Sequence, residues 1–222
     1  MKRALLVTAL VAVAHGMAFR PALAGSTEFW LWLAVPYALL AGFAVWRLWD
    51  DGTLLDVLKP KWGDLSIGAL TAAVLLVGSW LLRSVITPPS TERGAWLFRL
   101  YLQVGDSEVL QRSIPLTTAL LFIPVCEELV WRGWVQRDVT EAFGTRRGWP
   151  IGAGLYAVAV LPTAFLLADP VAGANPLLVL AALGTGLFWG FMTSVLGRLP
   201  PVIISHMAFT YFSAVQFRFP GG

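Results

Sequence analysis

The sequence predicts an all-α fold: a polytopic integral membrane bundle of about seven transmembrane helices with an interfacial amphipathic helix. Three observations carry this. The 222 residues are 57% hydrophobic and 13% charged, whereas a soluble domain has about 25% charged residues. Mean hydropathy is +0.71. The apolar residues fall in runs close to the ~20 residues that a membrane crossing needs, and the charges gather between them. Net charge is +3. In a membrane chain such an excess reflects Lys and Arg in cytoplasmic loops, so no nucleic-acid partner follows from it. Cys126 is the sole cysteine, which rules out an intrachain disulfide.

The first span is read as Ala4–Phe19, after Lys2 and Arg3. A basic start, an apolar run and Ala22-Leu23-Ala24 also fit a signal peptide. Arg20 and Pro21 in the would-be cleavage region favour a retained first helix. The second span is Phe29–Leu48, followed by a polar loop over Asp50–Asp64. The third is Leu65–Ile86. Between Ser90 and Arg112 the chain is mixed. There Trp96, Leu97, Leu100, Tyr101 and Val104 recur at helical spacing among charges, which predicts an amphipathic helix lying at the interface. The fourth span is Ile114–Gln136, the fifth Pro150–Ala168, the sixth Pro176–Leu196 and the seventh Pro200–Phe217.

Alternating crossings put Lys2, Arg3, Arg47, Lys59, Lys61, Arg137, Arg146, Arg147 and Arg198 on one side. Arg20, Arg83, Arg93, Arg99, Arg112 and Arg218 fall on the other. This bias predicts a cytoplasmic N-terminus and an outer C-terminus. Neither a repeat nor a low-complexity tract divides the chain, so residues 1–222 read as one membrane domain. Most of the eleven tryptophans fall near span ends, as an interfacial belt requires.

The functional signal is Pro124-Val125-Cys126-Glu127-Glu128-Leu129-Val130-Trp131-Arg132, inside the fourth span. An ionised group at the centre of a membrane helix costs about 2.5–3.5 kcal/mol on insertion scales and marks a functional site by default. Glu128 and Arg132 are spaced i, i+4 on one helical face, with Glu N-terminal, and are expected to form a bidentate pair. Glu127 is turned about 100° from Glu128 and about 140° from Arg132. The helix therefore presents one neutralised carboxylate and one spare, and a spare carboxylate in a dry bundle suits general base or acid work. Pro124 predicts a kink that frees the Leu120 carbonyl.

Other polar groups in the spans are few. The chain has two histidines. His15 reads as incidental. His206, with Thr210 on the same face of the last span, is a donor pair for a developing oxyanion or a helix-to-helix hydrogen bond. Gly186 and Gly190, with Gly184 nearby, make a small-xxx-small face for close helix approach. Cys126 has no histidine in its stretch to activate it. Glu127, Glu128 and His206 lack the regular His and Cys spacing of a zinc site, so no metal and no cofactor are expected.

Glu127-Glu128-x-x-x-Arg132 within a span resembles the first motif of the CPBP family, the CAAX prenyl endopeptidase-like intramembrane proteases also called the ABI family. Gly184–His206, with the Gly197–Pro201 turn, resembles its last motif. The resemblance covers residues 114–212. It implies a glutamate-activated water attacking a peptide bond in the membrane. On that reading Glu127 is the base, Glu128 and Arg132 support it, and His206 helps bind the oxyanion. Two positions depart from the family pattern. Val160 stands where a histidine is usual, four residues after Tyr156, and Thr210 stands where an asparagine is usual. Tyr156 is a stand-in one turn away, and Thr210 still donates.

The expected function is therefore an intramembrane endopeptidase of a multi-pass cell-membrane protein, with a bacterial inner membrane as the setting. Its partners would be the lipid bilayer and a membrane-anchored protein or peptide substrate, in maturation, sorting or bacteriocin self-protection. The alternative is a catalytically degenerate member that binds a membrane partner or substrate tail without cleaving. Transport would want more intramembrane polar groups and broken helices.

Overall fold

The computed structural model describes residues 1–88 and 90–218. Helix α1 spans Lys2–Ala18, and a 3-10 turn follows at Pro21–Leu23. Ser26 caps α2 (Thr27–Asp50), its Oγ accepting from the Phe29 amide. Then come α3 (Leu54–Leu58), α4 (Asp64–Ile86), α5 (Gly94–Val104) and α6 (Ser107–Arg112). Helix α7 (Ile114–Val130) passes through a π-turn at Trp131–Val135 into α8 (Gln136–Phe143). Helices α9 (Thr145–Val160), α10 (Pro162–Leu166), α11 (Leu177–Leu196) and α12 (Pro200–Val215) complete the described chain.

Five helical stretches are long and apolar enough to cross a membrane: Thr27–Asp50, Asp64–Ile86, Ile114–Phe143, Thr145–Leu166 and Leu177–Leu196. The expectation of seven is thus met by five on length and composition. The two that fall short are α1, with 17 residues, and α12, with 16. At 1.5 Å per residue each reaches about 25 Å, short of a ~30 Å hydrocarbon core. Pro21 explains the first, because the residue before a proline is pushed out of helical geometry. Pro200 and Pro201 fix the start of the second.

The apolar surface shows where lipid belongs. Helix α4 exposes Leu65, Leu70, Val74, Val77, Leu81, Leu82 and Val85. A row of that kind is intolerable in water and ordinary in a bilayer. Helix α7 packs between α2 and α12, α9 lies along α11, and α4 lies along α12. Helix α1 packs on α2 and α9, with Ala4, Val7, Val11 and Ala18 in the main core. Gly68 permits the α4–α12 contact: a Cβ there would sit 2.6 Å from Ile204 Cγ2 and 3.0 Å from the Pro201 carbonyl oxygen. Pro124 lies inside α7, which continues helical on both sides of it.

The expected amphipathic helix is two short ones, α5 and α6, broken at Gly105. Asp106 caps α6 through the amides of Glu108 and Val109. On α5, Trp96, Leu97 and Tyr101 are buried with Leu177 in a small separate core, while Phe98 and Leu102 face outward. Polar side-chain contacts gather at the two ends of the bundle. At one end Arg47 Nη1 pairs with Asp138 Oδ1 at 2.9 Å, Arg137 donates to Thr53, and Arg198 pairs with Asp64. At the other, Arg99 Nε pairs with Asp169 Oδ2 at 3.1 Å, Gln103 donates to the Ala18 carbonyl, and Arg83 donates to the Tyr101 hydroxyl. Asp169 also accepts from the Val171 and Ala172 amides, and these bonds with Arg99 hold its carboxyl below the usual range.

Candidate active site

Consecutive residues of α7 point in different directions, and the bundle uses that. Glu128, fully buried, turns toward α12; Glu127, 8% exposed, turns into a cavity. Arg132 sits one turn on, in the π-turn, and its Nη1 lies 3.0 Å from Glu128 Oε1. The expected bidentate pair does not form. Glu128 Oε1 instead takes both Arg132 and, at 2.7 Å, His206 Nδ1, while Glu128 Oε2 has no hydrogen-bond partner among the described residues. The second guanidinium nitrogen reaches back to the Gly186 carbonyl at 3.4 Å. Widening of the helix by one residue at the π-turn is a local change of pitch that such insertions often mark at functional sites.

Aromatic rings enclose this charge. The Arg132 guanidinium lies 5.2 Å from the Tyr156 ring centroid and 5.5 Å from that of Trp189, both in cation–π range. Trp189 stacks on the His206 imidazole with centroids 3.9 Å apart, and its indole N–H donates to Ser205 Oγ. Trp131 donates to the Tyr37 hydroxyl at 3.2 Å. Trp131 and Trp189 are therefore fully buried parts of the site and not members of an interfacial belt.

Glu127 keeps away from Arg132, as helical spacing requires. It accepts from the Tyr156 hydroxyl at 3.4 Å through Oε1, and its Oε2 lies 3.4 Å from His206 Nε2. The imidazole of α12 thus stands between the two neighbouring carboxylates. Its contact with Glu128, at 2.7 Å, is the shorter of the two. Thr210 does not bond His206. It lines the cavity of about 250 Å³ that also holds Glu127, Tyr156, Val160 and His206. A second, apolar cavity of about 400 Å³ shares Tyr101, Thr185, Phe209 and Ser213 with the first.

All the residues singled out in the sequence converge here: Glu127, Glu128, Arg132, Tyr156, His206 and Thr210. Two others were not singled out, and a third was set aside. Trp189 lies one turn from Gly186 and carried no polar signal of its own. Tyr37, in α2, interacts with Glu127. His15, read as incidental, lies on the same cavity wall in α1. Gly186 and Gly190 are contact points as expected, Gly186 against Ala153 and Tyr156, Gly190 against Gln136 and Trp149. Gly184 meets nothing within 4 Å and lines the second cavity. Cys126 is buried and free. Among the described residues no group of three or more His, Cys, Asp and Glu side chains is arranged to hold a metal ion.

No curated protein and no solved structure matches the chain. Residues 110–212 match the family described as Type II CAAX prenyl endopeptidase Rce1-like. The matched segment contains α7, α9, α11 and most of α12, hence Glu127, Glu128, Arg132, Tyr156, His206 and Thr210, and excludes His15 and Tyr37. Over this segment, a little less than half of its length, the multi-pass membrane protein is similar to the Rce1-like family of CAAX prenyl endopeptidase-type proteases.

Proposed function

We propose that the protein is a glutamic-type intramembrane endopeptidase of the cell membrane, in which Glu127 activates a water to cleave a membrane-anchored protein or peptide. The observation that supports this best is the division of labour between the two acids. Glu128 is tied to Arg132 and His206 in a closed, aromatic-walled core. Glu127 faces a cavity with room for several waters at about 30 Å³ each. Burial without a cationic partner of its own, in reach of a hydroxyl and an imidazole, is the setting a general base requires.

The steps follow from these contacts. Glu127 takes one proton from the water as the oxygen attacks the peptide carbonyl. The negative charge that develops on the carbonyl oxygen is met by donors on the cavity wall, the Tyr156 and Thr210 hydroxyls. The long His206–Glu127 contact yields so that the imidazole shares in holding it. Glu127, then protonated, gives its proton to the departing amine. Arg132 pairs with Glu128, and Glu128 fixes the orientation of the imidazole. The adjoining apolar cavity suits a substrate whose scissile end enters from lipid.

A general base contributes about 10²–10⁴-fold. Glu127→Gln is therefore expected to lower turnover of a membrane-tethered peptide in detergent or proteoliposomes by at least about 10²-fold, while the melting temperature of the solubilised protein holds. Undiminished cleavage by that variant removes Glu127 from the chemistry. One observation favours the second reading, a member that binds a partner tail without cutting. Val160, apolar, lines the cavity at the place where the resembled family carries a histidine. Cleavage by Val160→His together with none by the parent would select it.

A further inference from the structure

His15 lies outside the matched segment, and the steps above leave it unused. It is 6% exposed on α1 and forms part of the wall of the cavity that holds Glu127. Its Nδ1 lies 2.9 Å from the Val11 carbonyl oxygen, one turn back. A carbonyl only accepts, so Nδ1 carries the hydrogen and Nε2 of the neutral ring is a bare acceptor. The ring is held in place: Phe19 stacks on it at 5.9 Å between centroids, and Tyr37 meets it edge-on at 6.2 Å. The hydrogen bond that the ring makes is through Nδ1, and the ring lines the cavity beside Glu127. An acceptor on the wall of a cavity of about 250 Å³ that also holds a carboxylate and a hydroxyl is met by a cavity water.

A water activated by one base has a second O–H. Unless that hydrogen is also held, the oxygen lone pair is not aimed. The groups around Glu127 are poorly suited to hold it. His206 is engaged by both carboxylates, Tyr156 and Thr210 are wanted as donors, and Val160 has no polar atom. An imidazole with a fixed proton on the far nitrogen and a bare Nε2 is suited. Resting on the protease reading, we infer that His15 Nε2 accepts the second O–H of the water that Glu127 activates, so that α1 completes the catalytic centre from outside the family-matched half. The proton balance is simple. One hydrogen of the water passes to Glu127; the other stays on the attacking oxygen and is only oriented by His15, which ends neutral.

The test uses the full chain in phosphatidylcholine–phosphatidylglycerol proteoliposomes, with an internally quenched, S-farnesylated CAAX-type peptide as probe. His15→Phe is expected to lower kcat about 10²-fold with KM near that of the parent. His15→Gln, whose amide oxygen still accepts, retains part of the rate. Val160→His restores part of it in the His15→Phe background, because both positions line one cavity. Parent-like kcat in His15→Phe, with none in Glu127→Gln, overturns the inference and leaves the general base standing. Parent-like turnover in Glu127→Gln overturns both.

A readout without substrate settles the matter if the peptide is not cleaved. The chain has only two histidines, so ¹⁵N-histidine labelling gives two resolvable rings. His15 is expected to carry its proton on Nδ1, and its Nε2 resonance to shift in Glu127→Gln through the shared water. A proton on Nε2, or a resonance indifferent to Glu127→Gln, overturns the inference.

Discussion

At the scale of residues, the decisive arrangement is three ionisable groups meeting at one oxygen. Glu128 Oε1 is shared by Arg132 and His206 with no solvent exposure. Removing one partner of such a buried set strands the others, typically at about 3–5 kcal/mol. Glu128→Leu is therefore expected to lower the melting temperature sharply in detergent, and Glu128→Leu with Arg132→Met to recover part of the loss. Equal melting of the single and double variants would mean that the Arg132 charge finds other relief. The half of this cluster confined to one helix was legible in the sequence, since i, i+4 spacing puts Glu128 beneath Arg132 whatever the tertiary fold. The imidazole between two carboxylates was not, because it depends on how α12 docks on α7, 78 residues away. His15 was harder still: nothing local distinguishes a cavity histidine from an idle one until α1 is seen against α2 and α9.

At the scale of elements, the active site is aimed by helix spacing. Gly186 sets the distance between α11 and α9. A Cβ on it would meet Ala153 Cβ and Tyr156 Cδ1, each at 3.3 Å. Gly186→Ala must therefore push α9 outward or turn the Tyr156 ring, and the same ring carries the hydroxyl on Glu127 and the face over Arg132. Overpacking of this kind costs about 1–3 kcal/mol, so stability and turnover should fall together. Gly184→Ala is the control for stability: with no atom of a neighbouring element within 4 Å of the added methyl, it should keep the parent's melting temperature, and a comparable loss of stability there would refute the spacing argument. The small-xxx-small pattern was visible in the sequence, but it did not separate Gly184 from the two contact glycines, since all three lie in one apolar run. Span lengths were similarly half legible. Hydropathy located every long helix, while the prolines at positions 21, 200 and 201 bound α1 and α12 at 17 and 16 residues.

At the scale of the molecule, the polar contacts outside the buried site are sorted to two ends with an apolar wall between. The side-chain partners of Arg47, Arg137 and Arg198 all lie at one end, and those of Arg83 and Arg99 at the other. The grouping agrees with the division that loop charge suggested, and it makes the orientation testable with few changes. Positive residues favour the cytoplasmic side, so the loop between α3 and α4 should face inward and the segment before α5 outward. Cys126 is buried and gives little background to a water-soluble thiol reagent. In intact cells, an impermeant maleimide is expected to label Ser90→Cys and to spare Lys61→Cys until the membrane is broken. The reverse pattern would invert the protein in the bilayer. The cavity of Glu127 would keep its walls, but the end of the bundle presenting Asp169 and Arg99 would then meet the cytoplasm, and candidate substrates would have to be sought among proteins anchored on that face.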